Sequence, residues 1–177
     1  MMRFQGLVIF ALILMILAPA DAAETVAIAD VGVTTLRAQV GKRSVEASIT
    51  TEKRRAALHE DEDDSTAPER SVVRAITIRM NGQKIPVPGS VFCDLVLPNR
   101  AELGLGPGIS VLTIRGGDAS ASYIVRVEFD SDRVKRTTFA SSLIPDKPLQ
   151  IITFYERTLE DRPLKKQIGR ASCRERV

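Results

Sequence analysis

One histidine and two cysteines narrow the chemistry open to this 177-residue chain. A nucleophilic serine or cysteine needs a base held beside it. The single histidine, His59, lies in a charged stretch well away from Cys93, which sits in the apolar run Val91-Phe92-Cys93-Asp94-Leu95. Cys93 therefore reads as a small buried hydrophobe. Zinc sites built on His or Cys lack ligands. Carboxylates remain. Asp130-x-Asp132, with Asp118, offers oxygen ligands, but aspartate is also the residue that caps turn amides. Glu60 to Asp64 are consecutive acids, whereas a calcium loop spaces its ligands around a glycine, so this run reads as solvated. The sequence predicts no catalytic residue, no metal site and no cofactor. A hydrolase working through Asp94, Asp118, Asp130 or Asp132 is the minor alternative, and it requires those carboxylates to converge in one cleft.

Two stretches suit binding better. Gly116-Gly117-Asp118-Ala119-Ser120-Ala121-Ser122-Tyr123 combines two glycines, which let backbone approach a ligand closely, with small polar residues that leave room beside an aromatic ring. Gly116, Gly117, Asp118 and Tyr123 are the candidate ligand contacts. Neither a dinucleotide fingerprint nor a phosphate-loop lysine is present, and the plainer explanation is a hairpin loop. Arg115, Arg126 and Lys135 fall on three successive predicted strands. If those strands pair in sequence order, these side chains form a basic face tempered by Glu128. Such a face suits an acidic protein or an anionic envelope polymer.

The elements that must position these residues read as strands. Val33 to Val40 and Arg43 to Thr51 alternate apolar and polar residues on either side of Gly41-Lys42, a hairpin signal. From Val72, the residues Ile76, Ile78 and Met80 share a face with it, and Asn81-Gly82 follows as a primed turn. Lys84 to Val87 form the return strand, placed at a sheet edge because Pro86 cannot donate to a ladder. Leu95 to Arg100 read as a strand end and turn, with Leu103 and Leu105 in a short strand. Ile109 to Arg115, Tyr123 to Phe129, Val134 to Phe139 and Leu149 to Tyr155 complete the series. No helical period separates them, so a parallel α/β sheet is excluded.

The ends carry their own signals. Arg3, the apolar run Leu7 to Leu17 and Ala18-Pro19-Ala20-Asp21-Ala22 form the three parts of a secretory signal, with cleavage near Ala22. Residues 168–177, Ile-Gly-Arg-Ala-Ser-Cys-Arg-Glu-Arg-Val, resemble a translated sequencing adapter and are set aside as an artefact, with 160–167 a tail of unknown natural extent. The formal net charge of +3 falls to +1 once the adapter's three arginines and one glutamate are removed, the signal's Arg3 and Asp21 cancelling. Nothing here makes a nucleic-acid footprint. Without Cys173, Cys93 stands alone, so the fold depends on burial rather than on disulfides.

These readings predict an all-β fold, a small antiparallel sandwich or open barrel of about six to eight short strands. The expected order is signal peptide 1–22, hairpin 23–51, acidic flexible linker 52–71 and antiparallel domain 72–159. The expected role is a non-enzymatic binding module, periplasmic or extracellular, with no stable membrane insertion after processing. A structural envelope component that self-associates through the edge strand at Lys84 to Val87 is the alternative.

Overall fold

The computed structural model describes residues 23–55 and 68–155. Ten strands alternate with short turns: β1 Glu24–Ala27, β2 Gly32–Val40, β3 Arg43–Arg55, β4 Glu69–Met80, β5 Gln83–Ile85, β6 Pro98–Leu105, β7 Ser110–Gly116, β8 Tyr123–Phe129, β9 Val134–Ser141 and β10 Pro148–Thr153. They form two antiparallel sheets and no closed barrel. One has the order β1-β6-β7-β8-β9-β10, the other β2-β3-β4-β5. The described residues contain no α-helix, only 3-10 turns at Gly89–Val91 and Ala119–Ala121.

Alternation sets the faces. On the four-stranded sheet, Leu36, Ala47, Ile78 and Ile85 are cross-strand neighbours in one row, and each is almost fully buried. On the six-stranded sheet, Leu103, Leu112 and Val127 form the matching kind of row, all with no exposed surface. Both rows belong to a single core. A fully buried Leu, Ile or Val contributes about 1.5–3 kcal/mol relative to exposure, so these rows dominate the stability of the fold. With few aromatic residues, that core is built chiefly from aliphatic side chains.

The turns follow residue type. Asn81 and Gly82 take φ values of 51° and 83°, the pair a primed hairpin turn requires. The Asn81 side-chain oxygen accepts the Ser44 amide at 2.9 Å, tying this turn to the start of β3. Lys84 and Ile85 lie in the edge strand β5, which ends before Pro86.

Several expectations change. The strands number ten among the described residues, because β1 adds a strand that the sequence does not signal and the β2–β3 hairpin joins the same fold, while the short strand read at Leu103 and Leu105 extends back to Pro98 as β6. The 23–51 hairpin is no separate unit, since β3 pairs with β4 from Val45 to Arg55 and β1 pairs with β6. The expected 52–71 linker is strand at both ends, with Arg55 opposite Glu69; its acidic centre, Glu60 to Asp64, lies outside the described residues, as do His59, the 1–22 signal, 160–167 and 168–177. Val72 does not share a face with Ile76. A bulge at Arg74, where Thr50 pairs with Ala75 and Thr51 with Val73, reverses the alternation and turns Val73 and Ser71 inward. The inward Ser71 and Thr51 hydroxyls donate to the Asp30 and Ala29 carbonyls at 2.6 and 2.7 Å, anchoring the β1–β2 connection.

Candidate functional site

Arg100 and Arg115 face each other directly across β6 and β7. Ala101, Leu103 and Leu105 point into the core, as do Leu112 and Ile114, so the intervening Arg100 and Arg115 stand on the outer face. Cβ atoms of directly opposed residues lie about 4.5–5.5 Å apart, and like charges there are destabilising. Among the described residues neither guanidinium has an ion-pair or hydrogen-bond partner. Glu102 occupies the same face one outward position from Arg100 but bridges to neither.

These two arginines line an open groove of about 440 Å³ at the end of the six-stranded sheet, together with Asn99, Gly116, Gly117, Ser122 and Ser142. The glycines and the small serine side chains leave room for an external group. Gly116 is glycine for a packing reason: a Cβ there would strike the Tyr123 hydroxyl and lie 2.8 Å from the Leu97 carbonyl oxygen. Gly117 takes φ +76°, and its amide donates to the Leu97 carbonyl at 3.0 Å. That amide is occupied, so the groove's donors are the two guanidinium groups, the Asn99 amide and the two serine hydroxyls.

The other expected ligand residues lie elsewhere. Asp118 is exposed at the start of the Ala119–Ala121 turn and does not line the groove. Tyr123 points inward from β8 and stacks on Phe139, with ring centroids 5.6 Å apart. Burial pushes its phenol above the usual range, and its hydroxyl is without a hydrogen-bond partner. Of the four candidates, only the two glycines border open space.

On the expected basic face, Arg115 and Arg126 are outward and unpaired among the described residues, but Lys135 is engaged. It sits at a bulge in β9 and its ammonium lies 2.6 Å from Asp130. Its neighbour Arg136 forms a two-pronged bridge to Glu128 at 2.6 and 3.1 Å. On the outer face of β6, β7 and β8, Arg100, Arg115 and Arg126 are therefore the arginines without an ion pair among the described residues. Arg100 is the residue that sequence reasoning missed. Carrying the Leu105, Leu103, Ala101 alternation back one step would have placed it outward on β6.

Carboxylates are spread across the fold. Asp130 caps the β8–β9 turn, its carboxylate accepting the Asp132 and Arg133 amides at 2.9 and 3.0 Å, while the Asp132 carboxylate accepts the Ser131 hydroxyl at 3.1 Å. Burial would raise the Asp130 pKa, but the Lys135 hydrogen bond, these amides and the Lys135 charge outweigh it and hold the group at about 2. Asp118 precedes β8 and Asp130 follows it, so the length of that strand separates them, about 23 Å at 3.3 Å per residue. Among the described residues no group of three His, Cys, Asp or Glu side chains could hold a metal ion. Cys93 is half-buried in the turn after Gly89–Val91, and no disulfide is formed among the described residues. No helix among the described residues is long and apolar enough to cross a membrane.

Comparison with protein-family models, curated proteins and solved structures finds no match for this chain.

Proposed function

We propose that this chain is a β-sandwich binding module, non-enzymatic and exported to the bacterial envelope. It takes an anionic partner, an acidic protein or a phosphate- or carboxylate-bearing envelope polymer, at the groove between Arg100 and Arg115. The observation that carries this reading is the direct cross-strand pairing of two unneutralised arginines beside an open groove. Two like charges so close cost stability in the unliganded protein, and a bound anion removes that cost while accepting hydrogen bonds from both guanidinium forks. Arg126 extends the same positive field along the face. The test is calorimetric titration with polyphosphate, poly-glutamate and neutral dextran against the protein and its Arg100→Gln/Arg115→Gln variant. Binding of at least one polyanion, no binding of dextran, and a tenfold or greater loss in the double variant is the expected result. Equal affinity in the double variant overturns the reading.

A second reading rests on the other edge of the molecule. Among the described residues, five of the eight exposed large hydrophobic side chains, Leu143, Ile144, Leu149, Ile151 and Tyr155, lie along or beside edge strand β10. An apolar, unpaired edge favours strand addition, so self-association belongs here rather than at the three-residue β5. Light scattering across a concentration series tests it, and a constant monomer mass removes it.

A further inference from the structure

The six-stranded sheet also floors a second cavity, of about 240 Å³, far from the arginine groove in chemistry and lining. Its floor is two cross-strand rows on the inner face: Val125, Phe139 and Gln150, then Thr137 and Ile152. Its roof is the connection between β5 and β6, through Ser90, Val91, Asp94 and Leu95. Val91 and Leu95 are buried parts of the core, so the roof is fixed by packing. Thr137 is only 5% exposed and its hydroxyl is without a hydrogen-bond partner among the described residues. At the rim, Asp94 is exposed and its carboxylate makes no ion pair or hydrogen bond among the described residues.

We infer that this cavity is a binding site for a small organic cation, an amine with an apolar body. The apolar body lies between Val91, Leu95, Val125, Phe139 and Ile152, and the ammonium group meets Asp94. The volume sets the size: a cavity of about 150 Å³ takes up benzene, so 240 Å³ accommodates roughly ten non-hydrogen atoms. Charge sets the sign, because the unpartnered charge at the rim is a carboxylate. Such a ligand, bound by few atoms, has a Kd on the order of 0.1–1 mM.

The test uses 2-phenylethylamine as the probe, with 2-phenylethanol and phenylacetate as the neutral and anionic analogues, followed by nuclear magnetic resonance on the isotope-labelled protein. The expected result is saturable shifts at Val91, Asp94, Thr137 and Gln150 with the amine, at least tenfold weaker shifts with the alcohol and none with the acid. Asp94→Asn weakens the amine roughly tenfold. Ile152→Trp, a change on the exposed edge strand that leaves the core rows intact, fills the cavity and abolishes binding. Equal binding of alcohol and amine, or binding unaffected by either substitution, overturns the inference. Because none of these residues lines the arginine groove, loss of polyanion binding in Arg100→Gln/Arg115→Gln leaves this outcome untouched.

Discussion

Replacing Arg115 with glutamate should make the protein more stable and less able to bind anions. In the native pairing, Arg100 and Arg115 are opposed across β6 and β7 with no carboxylate between them. Like charges at such positions cost about 0.2–1 kcal/mol and opposite charges contribute a similar amount, so the swap is worth about 1 kcal/mol. Exposure of both side chains and the neighbouring Glu102 pull the value towards the lower half of that range. For a domain of this size, 1 kcal/mol corresponds to a rise in Tm of roughly 3 °C. Thermal unfolding followed by circular dichroism at low ionic strength measures the shift. The gain should shrink at about 1 M salt, where the screening length falls to about 3 Å. The same variant should lose polyphosphate binding. A lower melting temperature at low salt, or a gain that salt does not change, refutes the claim that the native arginines repel one another.

Further outcomes follow from packing and titration. Gly116→Ala forces a methyl group onto the Tyr123 hydroxyl and the Leu97 carbonyl, so urea unfolding should show a loss of about 1–3 kcal/mol; an unchanged midpoint would mean that the Tyr123 ring yields freely. The Asp130 carboxyl, held at about 2, contributes stability that is fully present above about pH 4 and lost as pH falls through 2. Lys135→Met should move its titration, observed by carbon-detected resonance, back towards the ordinary carboxylate range, and an unmoved titration assigns the depression to the turn amides alone. Thr137→Val replaces an unpartnered hydroxyl with a methyl of nearly the same shape and should leave stability equal or up to about 1 kcal/mol higher, whereas a loss would reveal an unseen hydrogen bond. Ile151→Lys, at a side chain 54% exposed, should change stability by less than about 0.5 kcal/mol while preventing any association through β10.

Local pattern accounted for most strands and failed where pairing is long-range. The β2–β3 hairpin, the Asn81-Gly82 turn and the Tyr123–Phe129 strand are legible because alternation and turn residues act within a few positions. The short β1 carries little pattern of its own and is fixed by pairing with β6, more than seventy residues away. The Arg74 bulge is invisible in composition, yet it moves Val72 to the opposite face. Of the eight residues lining the groove, Gly116, Gly117 and Arg115 stood out in the sequence by type. Arg100 did not, because Pro98-Asn99 before it reads as a turn, and only the register places its side chain against Arg115. Tyr123 misled for a related reason, since an aromatic beside two glycines looks accessible until its strand alternation turns it into the core.

Residue-level mapping of polyphosphate binding bears most directly on the proposal. Titrated into isotope-labelled protein, the polyanion should perturb Asn99, Arg100, Arg115, Gly116, Gly117, Ser122 and Ser142 first, with Arg126 following. Perturbation confined to the other basic end of the molecule, where Lys53, Arg54, Arg55 and Arg74 already bridge to Asp30, Glu52 and Glu69, would contradict it.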